Sequence, residues 1–391
     1  MKKLPLFLLA LLILTGCAGT PVPQGSTALP ETTAVPTETT LPPDPMEELL
    51  DSMTLRQKVG QLFIARPEQL LPDAGTVTRV TPELEQALAE YPLGGLILFG
   101  DNVVNPEQLL ALNGSLADMP GIPMFIAVDE EGGLVARLAK NPSFNLPRYQ
   151  NAMAVGASGD PADALEMGRT IGGYLKEYGF NVNFAPVADV NTNPKNTIIG
   201  SRAFSSKPET AAQMAAAMAD GLREEGIIPT FKHFPGHGDT AEDSHDALAV
   251  SQKTAEELAE CEWIPFESAT EYDMIMVGHI ALPNVFNNRT PATMSEEIVT
   301  EVLKNQLGFQ GLVVTDSMEM GAITAQYTSD KAALYALKAG CDIILMPANL
   351  ETAFEAVVEA CETGELSKDH LDATVERILR FKEQHGILGI G

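Results

Sequence analysis

The amino-acid sequence predicts an α/β fold, a (β/α)8 TIM-like barrel that makes up a single domain. Short apolar runs alternate with amphipathic segments, in the order strand then helix, a pattern that is typical of parallel sheets. Eight runs occur in roughly 345 residues, which matches the strand number and the size of one large barrel. An open doubly wound sheet would show a similar alternation and is the second possibility.

The predicted elements follow one another along residues 46–391. The apolar runs that we interpret as strands lie at 62–65, 95–99, 124–128, 182–187, 228–231, 274–277, 312–315 and 342–346. The amphipathic segments that we interpret as helices include 161–178, 208–225, 254–272, 295–307 and 329–339. Active residues of such a barrel are expected at the carboxyl ends of the strands.

The first 45 residues are predicted to lie outside this domain. Lys2 and Lys3 precede an apolar run that is too short to cross a bilayer comfortably, although a buried core helix is the alternative. The small residues before Cys17 resemble the lipobox at which bacterial lipoproteins are cut and lipidated. We therefore expect residues 1–17 to be a lipoprotein signal peptide. The Pro- and Thr-rich residues 18–45 are expected to be a disordered tether.

These features predict an exported protein, anchored to the cell membrane by the lipid on Cys17 and facing the extracytoplasmic side. The chain has 25 Lys and Arg against 53 Asp and Glu, a formal net charge of −28. Such acidity argues against nucleic acid as a partner and against a basic membrane-binding face, so the lipid is the only membrane contact expected. We interpret Cys261, Cys341 and Cys361 as small core residues, and we expect a monomer.

Polar residues are concentrated in the stretch 232–245, which holds three of the six histidines. Pro235, Gly236 and Gly238 interrupt regular structure there, so the side chains are predicted to project from a loop. Further polar residues end or follow the predicted strands, at Asp129, Asp189, Lys232, His233, His279 and Asp316. An Asp after a strand is often only the N-cap of the next helix, but so many at one edge indicate a shared site.

Five stretches carry a resemblance to a known family: 127–137, 183–191, 199–206, 232–245 and 313–320. In this order they resemble glycoside hydrolase family 3, and within it the bacterial β-N-acetylglucosaminidases (β-N-acetylhexosaminidases). Glu130 and Leu134 depart from the pattern, since relatives often have Gln and Arg there. The resemblance implies a single catalytic domain that needs no cofactor and no metal. It implies a retaining exo-hydrolase that releases terminal β-linked GlcNAc from cell-wall fragments or related glycans.

The same resemblance implies roles for individual residues. Asp316 would be the nucleophile that forms a covalent glycosyl-enzyme, unless it only caps a helix. Because the chain ends at Gly391, soon after the last predicted helix, we expect the general acid/base to lie within the barrel. The resemblance assigns that role to His245, with Asp243 orienting its imidazole, and a solvated turn is the alternative for both.

The remaining matched residues would bind the sugar. The resemblance implies that Asp129 accepts from ring hydroxyls, that Arg137, Arg202 and Lys232 donate to the ligand, and that His233 lines the same wall. Surface ion pairs are the alternative for the two arginines. The role of His279 stays open, and His237 and Asp239 are expected to shape the loop.

Other functions also fit parts of the sequence. A metal-dependent hydrolase could use the ligand set His233, His237, Asp239, Asp243 and His245. A lipid-anchored protein that only binds a sugar would share the same N-terminus. A β-glucosidase or a phosphorylase of the same family is the third alternative. Turnover, chelation and a panel of glycosides would separate these possibilities.

Overall fold

Eight parallel strands form the central sheet of the protein, which a computed structural model describes over residues 44–240 and 248–390. In chain order the strands are β1 (Phe63–Ala65), β2 (Gly95–Leu98), β3 (Phe125–Val128), β4 (Val182–Asn183), β5 (Ile228–Phe234), β6 (Ala249–Val250), β7 (Met274–Val277), β8 (Ile280–Ala281), β9 (Leu312–Thr315) and β10 (Ile344–Leu345). Strands β6 and β8 pair with each other in a separate small sheet.

The strand order of the large sheet is β10-β1-β2-β3-β4-β5-β7-β9, and every pair is parallel. A parallel bridge between Val314 and Ile343 joins the two ends of this order. The sheet therefore closes on itself as a barrel, with all carboxyl ends at one face. The predicted barrel is confirmed, and the open doubly wound sheet is excluded.

Helices surround the barrel and connect its strands. They are α1 (Pro45–Ser52), α2 (Leu55–Gln61), α3 (Pro67–Leu70), α4 (Pro82–Glu90), α5 (Pro106–Ala117), α6 (Ala152–Gly156), α7 (Pro161–Glu177), α8 (Pro208–Glu224), α9 (Ala255–Ala259), α10 (Pro283–Phe286), α11 (Gly321–Thr324), α12 (Ser329–Ala339), α13 (Leu350–Thr363) and α14 (Lys368–Gln384). Short 3-10 turns lie at Gly100–Asn102, Gly200–Arg202, Ile264–Ser268 and Ala292–Met294, and a π-helical segment at Glu297–Gln306.

Local sequence signals explain where many helices begin and end. Several start with Pro in the first turn, where the missing N–H is not needed, and Thr54 begins α2 with a capping box to Gln57. Helix α12 ends at Gly340, whose φ of 105° lies in the left-handed region. The strands of the barrel are buried along their full length, so the apolar runs in the sequence became the core.

Three predicted elements differ from the structure. Strand β4 spans only Val182–Asn183, and the pairing continues beyond Pro186, which has no N–H to donate, as an isolated parallel bridge between Val187 and Lys232. Strand β5 extends beyond the predicted run 228–231 to Phe234, so Lys232 and His233 lie near the carboxyl end of the strand, as the strand pattern predicted, and not in the loop predicted from Pro235 onward. The predicted helix 254–272 is instead α9 followed by the 3-10 turn at Ile264–Ser268, which contains Pro265.

Several predictions concern residues that lie outside the described part of the chain. These are the signal peptide, the lipidated Cys17, the tether as far as residue 43 and the pair Asp243 and His245. The last two residues of the predicted tether, Asp44 and Pro45, are instead the cap and the first residue of α1. Within the described ranges, no helix is both long enough and apolar enough to span a bilayer. Cys341 is buried and the other two described cysteines, Cys261 and Cys361, are partly buried, all three as free thiols.

Candidate active site

A cavity of about 390 Å³ opens at the carboxyl ends of the barrel strands. Its volume lies within the range of small-molecule sites. Six of the residues that the sequence predicted as site residues line it: Asp129, Arg137, Arg202, Lys232, His233 and Asp316. The barrel thus brings together side chains that are nearly 190 positions apart in sequence, at the face where such folds carry their chemistry.

Asp316 follows the last residue of β9 and is held from two sides. Its backbone N–H donates to the Val277 carbonyl oxygen (2.8 Å), and the Ser317 N–H donates to its Oδ1 (2.8 Å). Burial opposes ionisation, but the nearby His233 and His279 together with this hydrogen bond keep the pKa of Asp316 below its ordinary value. Asp316 therefore presents a carboxylate to the cavity, the form that a nucleophile requires.

His233 and His237 are arranged around one buried carboxylate, Asp189. The Asp189 Oδ2 lies 2.8 Å from His233 Nδ1, and its Oδ1 accepts from the backbone N–H of His237 at 2.6 Å. Burial would raise the pKa of Asp189, but His233 holds it below the ordinary value. His237 lines the cavity, and burial lowers its pKa. Asp189, which the sequence singled out only as a residue after a strand, thus fixes the imidazole of His233 and the backbone of His237, whose own imidazole contacts Thr240 Oγ1 (2.7 Å).

Lys232 is buried and shared between two carboxylates. Its Nζ lies 2.9 Å from Asp129 Oδ1 and 2.8 Å from Glu131 Oε1. Burial would lower the pKa of Lys232, but the two carboxylates raise it above the ordinary value. Arg137 reaches the other oxygen of Asp129 at 3.4 Å and lies over the Phe99 ring, 5.0 Å from its centroid. Four charged groups, Lys232, Asp129, Glu131 and Arg137, are therefore held in fixed positions along the cavity lining.

Glu131 is a site residue that the sequence reasoning missed. It lies in the tight turn after β3 and accepts a two-pronged ion pair from Arg202, at 2.9 Å from Nε and 2.8 Å from Nη2. The turn needs Gly132, which has φ of 88° and where a Cβ would come within 2.4 Å of Met167. Arg202 is thus in a buried ion pair within the cavity and not in a surface pair.

His279 supports the site from behind the cavity. It is fully buried, with Nε2 at 2.9 Å from the Ser317 carbonyl oxygen and Nδ1 at 3.0 Å from Thr293 Oγ1. These contacts place it against the backbone next to Asp316, away from the cavity lining. His279 therefore contributes to the position of the carboxylate.

Asp239 also lies outside the cavity lining, and its side chain bonds to a residue that follows the segment 241–247 in the chain. Its Oδ2 accepts from Ser251 Oγ at 2.6 Å. Burial raises the pKa of Asp239, and the nearby Lys253 works against this shift. The expectation that Asp239 shapes this region stays a prediction, because Asp243 and His245 lie outside the described residues.

The two departures from the family pattern have different surroundings. Glu130 is fully buried and accepts from the backbone N–H groups of residues 137–139 and from Tyr174 Oη (2.8 Å). It therefore fixes the backbone that carries Arg137. Leu134 is 63% exposed on the same turn. The sequence alone could not distinguish a buried acceptor from a surface position.

The ligand set of the metal-dependent alternative lies only partly within the described residues, which include His233, His237 and Asp239. Over 44–240 and 248–390, no three His, Cys, Asp or Glu side chains are grouped closely enough to hold a metal ion. His233 Nδ1 faces Asp189, and Asp239 is bonded to Ser251. Each of these two candidate ligands therefore has one side-chain atom bonded to another protein group.

Comparison with known proteins gives consistent matches. Residues 54–381 match the model of the glycosyl hydrolase family 3 N terminal domain. The chain is 34% identical to beta-hexosaminidase A of Pseudoalteromonas piscicida, over 78% of this chain and 56% of that protein. It is 33% identical to a beta-hexosaminidase of Alkalilimnicola ehrlichii, over 69% of this chain and 78% of that protein.

A solved structure shows the same fold. The glycoside hydrolase family 3 beta-N-acetylglucosaminidase from Paenibacillus sp. str. FPU-7 superposes with a TM-score of 0.79 at 35% identity, over 86% of this chain and 64% of that chain. The chain thus spans somewhat more than half the length of the Pseudoalteromonas and Paenibacillus proteins. The family model covers all strands of the barrel and the six predicted site residues that line the cavity. The chain therefore belongs to glycosyl hydrolase family 3.

Proposed function

We propose that this protein is a retaining exo-β-N-acetylhexosaminidase that hydrolyses terminal β-linked GlcNAc. The observation that carries the proposal is the Asp316 carboxylate at the cavity, which the paired charged side chains Lys232, Asp129 and Arg202 also line. The relatives named beta-hexosaminidase support the choice of sugar. The only tryptophan, Trp263, is buried, so the described residues offer no tryptophan platform for a long glycan, which favours action on a terminal sugar.

The proposed reaction has two displacements at the anomeric carbon. In the first, an Asp316 carboxylate oxygen bonds to that carbon while the bond to the leaving oxygen breaks, and His245 gives its proton to the leaving oxygen. In the second, water attacks the same carbon, the bond to Asp316 breaks, and the proton of the water passes to His245. Asp243 would hold the imidazole in the required orientation.

The charged groups that line the cavity have hydrogen-bonding capacity left for a sugar, both in its ground state and in its transition state. Asp129 has acceptor capacity beyond its two ion pairs, and Lys232 has one N–H beyond its two carboxylate partners. His233, fixed by Asp189, presents its Nε2 side toward the same cavity. These groups would hydrogen-bond to ring hydroxyls or to the acetamido oxygen.

Cell-wall fragments or related glycans outside the cytoplasm are the proposed substrates. The motif before Cys17 supports an exported, lipid-anchored protein, and the acidic surface supports a monomer that meets the membrane only through its lipid. This placement would bring a cavity for a terminal sugar to the extracytoplasmic side.

Trapping the covalent intermediate tests the proposal. A slow fluorinated N-acetylglucosaminide should add its sugar mass to Asp316, and Asp316→Ala should abolish the label and lower turnover by several orders of magnitude. Glu319→Ala, which alters another carboxylate of the cavity, is the matched control for labelling and should still take the label. Label on a different carboxylate would refute the assignment of Asp316.

A panel of chromogenic β-glycosides separates the remaining alternatives. The proposal expects release of N-acetylglucosaminide aglycones in preference to glucosides, in the presence of excess chelator and without added phosphate. Sugar binding without release would indicate a binding protein. Loss of turnover with chelator would indicate a metal enzyme, and dependence on phosphate would indicate a phosphorylase.

A further inference from the structure

We propose that Glu131 is the positioning residue that fixes two cations of the sugar site, Arg202 and Lys232, in the geometry needed to bind the terminal sugar. This inference rests on the proposed function and deepens it. Glu131 would make no contact with the reacting atoms. It would act through the two cations that do face the ligand.

One carboxylate joins three neighbouring strands of the barrel. Glu131 lies in the turn after β3, Arg202 in the 3-10 turn of the connection after β4, and Lys232 within β5. Glu131 Oε1 lies 2.8 Å from both Arg202 Nη2 and Lys232 Nζ, and Oε2 lies 2.9 Å from Arg202 Nε. The relative positions of these three chain segments at the cavity are thus set by a single side chain.

The pairing leaves a defined set of donors for a ligand. Arg202 uses Nε and Nη2 on Glu131 and Nη1 on the Ile198 carbonyl oxygen (3.1 Å), so two of its five N–H groups remain. Lys232 uses two of its three N–H groups on Asp129 and Glu131, so one remains. Because both heads are held, the remaining N–H groups point in fixed directions.

Glu131 itself is poorly suited to proton transfer. Its side chain is only 5% exposed, and its oxygens accept three charge-assisted hydrogen bonds. Burial opposes ionisation, but Arg202 and Lys232 hold the pKa of Glu131 far below its ordinary value. A carboxylate that stays ionised and fully engaged can orient its partners but cannot exchange protons near neutral pH.

Removing this carboxylate would leave Lys232 with Asp129 as its one ion-pair partner and Arg202 with no carboxylate partner, bonded only to the Ile198 carbonyl oxygen. Breaking a buried ion pair from one side is strongly destabilising, because the other charge is left uncompensated. We expect Arg202 and Lys232 to separate and their donors to turn away from the ligand. Since the lost contacts hold the sugar in both the ground state and the transition state, KM should rise more than kcat falls.

The test compares Glu131→Ala and Glu131→Gln with the wild-type full-length protein on an aryl N-acetylglucosaminide. Both variants should raise KM by about tenfold to a hundredfold, with kcat lowered by less than about tenfold. Glu131→Gln keeps the shape of the side chain and serves as the variant of choice if Glu131→Ala unfolds. Added formate, a free carboxylate of the size removed, should lower the KM of Glu131→Ala toward the wild-type value.

Two control variants make the result specific. Arg202→Ala should also raise KM, but formate should not lower it again. The KM of the double variant with Glu131→Ala should be no higher than that of the more impaired single variant. Glu224→Ala removes a two-pronged pair with Arg169 of the same type on the exposed surface of α8, and it should change neither KM nor the response to formate.

An unchanged KM in both Glu131 variants, or additive effects of the Glu131 and Arg202 substitutions, would overturn the inference. Failure of the proposed function is separately visible, as an absence of turnover by the wild-type protein with every glycoside. In that case the affinity for N-acetylglucosamine, measured by calorimetry, replaces KM. Equal affinities of wild type and Glu131→Gln would then refute the positioning role.

Discussion

Replacing Lys382 with methionine should remove a pH-dependent loss of stability from the fold. Lys382 lies in α14 with no exposed surface, and its Nζ donates to Gln61 Oε1 (2.7 Å) and to the Gly94 carbonyl oxygen (2.9 Å). In the part of the chain that the structure describes, no carboxylate forms an ion pair with it. The Phe125 ring, 4.7 Å away, favours the charged form only weakly.

Burial lowers the pKa of Lys382 from an ordinary 10.5 to about 7. Below pH 7 the lysine is protonated in the folded and the unfolded chain, so the cost of burying the charge is present in full. Between pH 7 and 10.5 the unfolded chain holds a proton that the folded chain has lost, so the free energy of unfolding rises by about 1.4 kcal/mol per pH unit. Over the whole interval this amounts to about 5 kcal/mol.

The methionine variant exchanges this cost for a smaller one that is independent of pH. It leaves Gln61 Oε1 without its donor, at about 1–3 kcal/mol for a buried acceptor, whereas the Gly94 carbonyl oxygen still accepts from the Phe125 N–H (2.9 Å). Near pH 7 the two effects partly cancel. The slope of the stability difference against pH is therefore the informative quantity, since lost hydrogen bonds contribute no slope.

Urea unfolding followed by the fluorescence of Trp263, the single tryptophan, would measure this slope. From pH 7.5 to 9.5, the unfolding free energy of the wild type minus that of Lys382→Met should increase by roughly 3 kcal/mol. Lys368→Met in the same helix is the control, because Lys368 is exposed and its hydrogen bond to Asp372 raises its pKa, so its difference should stay constant. A constant difference for Lys382→Met as well would show that the buried lysine keeps its proton.

Three further predictions concern residues at or beyond the edge of the described chain. If His245 protonates the leaving oxygen, His245→Ala should slow the hydrolysis of glycosides with poor leaving groups by about 10²–10⁴-fold and that of activated aryl glycosides far less. Asp243→Asn should act in the same direction, and its effect should not add to that of His245→Ala. Measurement of kcat/KM across graded leaving groups decides this, and an equal loss for all of them would contradict the assignment. Cys17→Ala should release the protein from the membrane fraction of cells, and unchanged retention would refute the lipoprotein prediction. A chain that starts at Asp44 should be fully active and about 1 kcal/mol more stable to urea than one that starts at Met46, because Asp44 accepts from the Met46 N–H as the cap of α1; equal stability would show that this cap contributes nothing.

Local pattern in the sequence was enough to predict the barrel. Each strand is a short run that is apolar at successive positions, and such a run predicts a parallel strand that is buried on both faces. The position of Asp316 at a strand end followed from the same pattern, because parallel strands of a barrel end at one face. Boundaries were less well predicted where Pro186 and Pro265 interrupt an apolar stretch.

The partners of the polar side chains were decided only by the tertiary structure. Glu131 and Arg202 are 71 residues apart, and Lys382 and Gln61 are 321 residues apart. No local pattern in the sequence predicts such pairs, because a glutamate in a turn or a lysine in an amphipathic helix is expected to be exposed to solvent. The sequence by itself determined which segments are apolar enough to form the barrel and which chemical groups end its strands. Only the packed fold decided which charges lose their water and must find each other, since desolvation and pairing depend on distances of a few ångströms between residues far apart in the chain.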